Sequence, residues 1–233
     1  MATKDGTKDG LSEYHRKRDF TRTAEPKGDA PHDQGRAPGF VVQIHDASAM
    51  HFDFRLEVDG VLKSWAVPKG PSADPHDKRL AMPTEDHPLA YADFEGVIGA
   101  GEYGGGTVIV WDSGTYRSLA TDRRHHEVPF AEALEHGHAS FWLDGTKLRG
   151  GYALTRMRGA KEGEREAWLL VKHDDEHASD HSTTEPTRAR SALSGRTLKQ
   201  VAQEASRAEA PSTEKPGTHP ADVVGEHPQG GGP

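Results

Sequence analysis

The chain has 233 residues, a formal net charge of -8, 33% hydrophobic residues, 26 glycines, 15 prolines and no cysteine. Disulfides and thiolate metal sites are thereby excluded, and no apolar run is long enough for a transmembrane helix or a secretion signal. The composition fits a cytoplasmic protein with a compact core and long polar extensions, and it excludes an extended basic nucleic-acid grip.

In chain order, residues 1–39 carry 8 Lys and Arg against 7 Asp and Glu, and read as a flexible N-terminal arm. Residues 40–173 hold 15 basic and 20 acidic residues and nearly all the aromatics, which marks them as the core. Alternation of apolar and polar residues predicts strands at 40–46, 51–58, 61–67, 107–112, 115–119, 139–144, 151–157 and 166–173. Asp59-Gly60 predicts a tight hairpin, and Ser113-Gly114 and Asp144-Gly145 predict two more turns. Pro83 cannot donate to a ladder, so no strand is predicted over Ala81–Thr84. Residues 129–136 predict a short helix. Residues 174–233 lack aromatics, carry 6 basic and 10 acidic residues, and read as a disordered tail with a short helix near 197–205, capped by Thr197. The predicted class is all-β dominated: many short strands with glycine-rich turns make a small barrel or sandwich with short helices.

The most informative stretch is Gln43-Ile-His45 followed by His51-Phe-Asp53-Phe-Arg55-Leu-Glu57. Strict alternation places His51, Asp53, Arg55 and Glu57 on one strand face, where neighbours two residues apart lie about 6–7 Å from each other. Gln43 and His45 share a face of the preceding strand. If the two strands are neighbours, His45 meets His51 and Asp53 on one sheet face or at a barrel mouth. Two imidazoles and a carboxylate suit Mn²⁺, Fe²⁺ or Zn²⁺ with open positions left over. The bland alternative is surface histidines, of which the chain has many.

Cations follow. Arg55, Lys69 and Arg79 could clamp a phosphate, but Lys69 and Arg79 are also well placed for ordinary ion pairs with Asp74, Asp77, Glu85 and Asp86. His87, in Glu85-Asp-His87-Pro, suits general acid work on a leaving oxygen, or is simply a loop histidine before a proline. Gly99-Ala-Gly101-Glu-Tyr103-Gly104 formally contains a dinucleotide-binding pattern, yet Thr107–Trp111 reads as a strand where that motif needs a helix. A glycine-bent turn into a strand is the better reading.

From Phe40 to Trp111 the sequence resembles the 3'-phosphoesterase domain of bacterial and archaeal DNA ligase D. The resemblance is carried by Gln43-Ile-His45, His51-Phe-Asp53-Phe-Arg55-Leu-Glu, Leu62-Lys-Ser-Trp-Ala-Val-Pro-Lys69-Gly-Pro-Ser, Glu85-Asp-His87-Pro-Leu, Tyr91-Ala-Asp-Phe-Glu-Gly and Gly101-Glu-Tyr-Gly-Gly-Gly-Thr-Val-Ile-Val-Trp. It extends more weakly from Tyr14 to His173. It implies a compact β-barrel, with His45, His51 and Asp53 holding a divalent metal, manganese first and Co²⁺ or Zn²⁺ as alternatives. Arg55, Lys69, Arg79 and His87 would engage the scissile phosphate, with Gln43, Tyr91, Glu25, Arg18 and Asp19 in support.

The implied activity is healing of DNA or RNA–DNA 3' ends: removal of 3'-phosphates and 3'-terminal ribonucleotides to leave a 3'-hydroxyl. The family pattern usually continues into ligase or polymerase modules. This chain has neither, so it reads as a stand-alone monomer whose partners would be a primer-template end and a separate ligase, polymerase or Ku. Two other readings remain open from the residues: a non-catalytic DNA-end binding module of a repair assembly, and a non-haem iron oxygenase on a small barrel.

Overall fold

The computed structural model describes residues 10–28, 35–157, 165–180 and 185–209. Ten strands occur in the order β1 (Gly39–Asp46), β2 (Met50–Val58), β3 (Val61–Val67), β4 (Arg79–Pro83), β5 (His87–Pro88), β6 (Gly96–Ile98), β7 (Gly106–Ser118), β8 (His138–Gly145), β9 (Arg149–Arg156) and β10 (Trp168–Lys172). Three short helices accompany them: α1 (Ser12–Arg16), α2 (Phe130–Glu135) and α3 (Leu198–Glu209). A 3-10 turn covers Leu89–Asp93. None of the described helices is long and apolar enough to cross a membrane.

The strands pair antiparallel in the order β1-β2-β3-β4-β10-β9-β8-β7, and β7 returns to pair with β1. This closes an eight-stranded barrel, as the alternating short strands predict, and closure removes the free edges of the sheet. β5 and β6 are short additions on β3 and β7. Inward residues from every barrel strand fill the interior, among them Ile44, Phe54, Ile109, Phe141, Leu154 and Leu170.

The opposite face of β1, β2 and β3 is also buried. There Val41, Leu62 and Val110 pack beneath Leu11, Tyr14 and Tyr91, so the segment carrying α1 and the 3-10 turn form a roof over the outside of the barrel wall. This doubly covered wall explains why β2 is buried at every position from Phe52 to Val58 although its sequence alternates.

The Asp59-Gly60 hairpin forms as expected. Both residues have positive φ, 51° and 81°, the geometry of a two-residue turn matched to strand twist. It pairs Val58 with Val61 and therefore Arg55 with Ser64.

Three expectations are corrected. Ser113-Gly114 is not a turn: β7 runs unbroken for 13 residues, pairing first with β1 and then with β8. Gly114 has no side chain to keep the Asp144–Gly145 backbone away, and the buried Asp112 carboxylate accepts the Lys147 and Leu148 amides, so Asp112 holds the β8–β9 turn. β4 forms despite Pro83, because the proline is its last residue and the next amide, Thr84, resumes the pairing by donating to the Ser64 carbonyl at 3.0 Å. The polar tail begins later than its composition predicts. Residues 185–209 lie against the barrel: Leu198 and Val201 join the core, the Ala192 amide donates to the Val110 carbonyl at 2.8 Å, and Arg196 pairs with Glu95 at 3.0 Å. Thr197 and Gln200 cap α3 reciprocally, each bonding the other's amide, at 2.9 and 3.3 Å. The rest of the expected arm and tail, residues 1–9, 29–34, 181–184 and 210–233, lies outside the described residues.

Because Leu198 is 5% exposed and belongs to the main core, Leu198→Ala should destabilise the whole barrel by about 2–4 kcal/mol. Urea unfolding followed by tryptophan fluorescence checks this, and an unchanged midpoint would mean that α3 is not part of the cooperative fold.

Candidate metal centre

The site is built by register. β1 and β2 set His45 opposite His51, Gln43 opposite Asp53 and Val41 opposite Arg55, while β3 adds Ser64 beside Arg55. All of these share the face turned away from the barrel interior. Of the two locations open to sequence reasoning, the sheet face is therefore the one found, and it is the outer face under the roof.

One donor atom from each of His45, His51 and Asp53 falls within 4.8 Å of the others. His45 Nδ1 lies 3.6 Å from one Asp53 oxygen and His51 Nε2 lies 3.7 Å from the other. Each imidazole spends its remaining nitrogen on a backbone carbonyl: His45 Nε2 donates to Gly104 at 2.8 Å and His51 Nδ1 donates to Ala49 at 2.9 Å. Those bonds fix the tautomers and leave a lone pair on each ring aimed at the shared space. Burial would raise the Asp53 carboxyl, but Arg55 and the two imidazoles outweigh it and hold the group well below the usual carboxylate range. An ionised carboxylate beside two imidazoles oriented by backbone carbonyls fits a first-row divalent cation.

Arg55 is 2% exposed. Its guanidinium donates to Asp53 at 3.0 Å, Gln43 Oε1 at 2.8 Å and Ser64 Oγ at 2.9 Å, and Nη1 lies 2.9 Å from His87 Nδ1. Gln43 in turn donates to the Tyr91 and Phe94 carbonyls at 3.1 and 3.0 Å, which ties the 3-10 turn to the barrel wall.

The roof adds a second guanidinium. Arg18 donates to Glu25 at 2.8 Å and Glu85 at 3.0 Å, stacks 3.8 Å from the Tyr14 ring, and brings Nη2 within 3.2 Å of His87 Nε2. Tyr91 donates its hydroxyl to Glu25 at 3.0 Å. His87 thus lies between two guanidinium groups. Burial first, then Arg55 and Arg18, push its pKa well below the ordinary histidine value, so the ring is neutral.

His45, His51 and Asp53 line one cleft of about 230 Å³ together with Arg18, Arg55, His87 and Tyr91. Gln43 and Glu25 brace it from behind. Three predicted site residues are not in it. Asp19 is exposed, and its carboxylate accepts the Thr21 amide and hydroxyl at 3.0 and 2.7 Å in a local turn. Arg79 donates to Asp77 at 2.6 Å, the ion-pair alternative. Lys69 is exposed in the loop after β3, whose last pair, Val67 with Phe52, puts it at the His51 end of the sheet. Ser64, Tyr14 and Glu85 were missed as site residues. For Ser64 the signal was available: the two-residue hairpin fixes the register that sets a lone serine opposite Arg55. Tyr14 and Glu85 arrive through long-range packing that leaves no local pattern.

The sequence pattern of the DNA Ligase D 3'-phosphoesterase domain matches residues 43–156. Similar curated proteins include the multifunctional non-homologous end joining protein LigD of Pseudomonas aeruginosa, 51% identical over 191 residues, or 81% of this chain and 22% of that protein. Another is the multifunctional non-homologous end joining DNA repair protein LigD of Mycobacterium tuberculosis, 46% identical over 65% of this chain and 19% of that protein. The multifunctional non-homologous end joining protein LigD of Mycolicibacterium smegmatis is 41% identical over 72% of this chain and 21% of its own length. The chain therefore spans about a fifth of the length of these relatives. Its barrel, with the histidine–aspartate cluster on the outer wall, belongs to the DNA ligase D 3'-phosphoesterase domain family.

Proposed function

We propose that this chain is a divalent-metal-dependent 3'-phosphoesterase that trims DNA or RNA–DNA ends for repair, removing 3'-phosphates and 3'-terminal ribonucleotides to leave a 3'-hydroxyl. The observation that carries the reading is the convergence of three ligand atoms within 4.8 Å beside Arg18, Arg55 and His87 in one cleft. The donor set suits Mn²⁺, with Co²⁺ and Zn²⁺ as alternatives. A cation held by His45, His51 and Asp53 would supply positive charge where the transition state accumulates negative charge on phosphate oxygens.

The chain's own groups do the positioning. Arg55 keeps one Nη2 proton without a partner among the described residues, and with Arg18 it flanks the space a phosphate would fill. Water attacks phosphorus, one P–O bond forms, and the bond to the 3' oxygen breaks. A 3'-phosphate end yields inorganic phosphate and a 3'-hydroxyl. His87 is neutral in the free protein, so it orients phosphate by hydrogen bonding and does not enter as a proton-donating imidazolium. Lys69, outside the cleft, is left to meet a neighbouring strand phosphate. Relatives named for non-homologous end joining support a place ahead of ligation, with a ligase, polymerase or Ku as partners.

A 3'-phosphate primer-template tests the reading. Chelation should abolish phosphate release and Mn²⁺ should restore it; His51→Ala and Asp53→Asn should lower turnover by about 100-fold or more while the far-ultraviolet spectrum is unchanged. Turnover like the wild type in His51→Ala would remove the metal role.

His87 gives a second expectation. A base whose folded pKa lies below its unfolded value leaves the unfolded state holding more protons, so its contribution to stability is full above about 6.5 and declines as pH falls from there. Nitrogen-detected NMR should show the His87 ring still neutral at about pH 6.5, where an ordinary imidazole is half protonated. A ring that titrates near 6.5 contradicts the geometry.

End binding should depend weakly on salt, because the cleft holds few phosphates. A log–log slope indicating more than about six phosphate contacts would contradict a short footprint.

A further inference from the structure

The glycine-rich stretch 99–106 leads into β7 and presents Tyr103 at the lip of the metal cleft. Tyr103 is 49% exposed, among the largest apolar exposures in the described structure. It is not loose: Lys17 Nζ donates to its hydroxyl at 3.1 Å and lies 4.5 Å from the ring centroid. The next residue, Gly104, supplies the carbonyl that orients His45 at 2.8 Å. The ring is therefore held one residue from the carbonyl that orients His45, with much of its surface open.

We propose that Tyr103, at the lip of the cleft, is the stacking platform for the nucleobase of the 3'-terminal nucleoside while its 3'-phosphate sits in the cleft. This rests on the phosphoesterase reading and deepens it: the protein recognises the end through a π-face that every base offers, so it accepts any terminal base but discriminates against an abasic end. Lys17 fixes the ring through its hydroxyl, and the ring itself makes the contact.

The test uses the full chain with Mn²⁺ and two primer-templates, one ending in thymidine 3'-phosphate and one in an abasic deoxyribose 3'-phosphate. The wild type should prefer the base-bearing end by about tenfold in kcat/KM, carried by KM. Tyr103→Ala should bring the preference close to one by weakening the base-bearing end; Tyr103→Phe, which keeps the ring, should retain most of it. A Tyr103→Ala protein with the wild-type preference overturns the proposal. A second readout needs no turnover: a primer-template ending in 2-aminopurine 3'-phosphate should lose fluorescence on binding the wild type and Tyr103→Phe, but not Tyr103→Ala. Equal quenching by wild type and Tyr103→Ala overturns stacking. Quenching by the wild type and Tyr103→Phe alone, without phosphate release by any of them, upholds stacking and overturns the phosphoesterase reading instead.

Discussion

A guanidinium buried on the outside of a barrel wall organises this molecule. Arg55 cannot lie at 2% exposure unless its charge and its donors are matched. The register of β1, β2 and β3 meets that demand with Asp53, Gln43 and Ser64, one from each strand. The planar fork reaches all three at once and still touches His87, which an ammonium with a single nitrogen could not do in the same geometry. The effect runs outward to the candidate metal centre: Arg55 keeps Asp53 ionised against the cost of burial, and an ionised carboxylate beside the two imidazoles is the donor set a divalent cation would need.

Burial of Arg55 in turn requires the roof. Tyr14 and Tyr91 cover it, the Arg55 guanidinium lying 4.9 Å from the Tyr91 ring, and Arg18 ties the roof down through Glu25 and Glu85. Fold stability and site geometry are thus one network. Around the cleft, Lys17, Arg18 and Arg55 face Asp53, Glu25 and Glu85, so the charges balance once His87 is neutral. A balanced cleft is compatible with a chain of net charge -8. What such a cleft offers an anion is directed donors rather than an overall positive field.

How much of this the sequence carried can be read from particular residues. Alternation in β2 disclosed that His51, Asp53 and Arg55 share a face, because side-chain period two survives any tertiary context. The apolar face of Phe52, Phe54 and Leu56 turns into the barrel as hydrophobicity dictates, but alternation could not disclose that the opposite, polar face is buried as well. Glycine misled at Ser113-Gly114: the same residue that permits a turn also permits the close approach of another backbone, here Asp144–Gly145. The cations were harder still. Arg55, Lys69 and Arg79 look alike as residue types, yet one is buried, one exposed and one paired with an aspartate, and only three-dimensional neighbours separate them. The roof was the least legible part, because α1 is short and polar and is recruited by Tyr14 alone among its buried residues.

The loop 99–106 shows why a weak local signal still carries site information. A Cβ on Gly106 would collide with the Asp46 carbonyl and lie 2.8 Å from the Ala47 Cα, so only glycine lets the loop lie this close to the β1–β2 turn. That approach decides where Gly104 falls, and Gly104 orients His45. Orientation of a ligand's far nitrogen is a tight constraint, since turning the His45 ring would remove its lone pair from the shared space. Tyr103 is fixed by the same loop from the other side, through Lys17. Ligand geometry and the aromatic lip of the cleft are therefore set by adjacent residues of one backbone segment. A change in the loop that leaves the barrel intact would disturb both together.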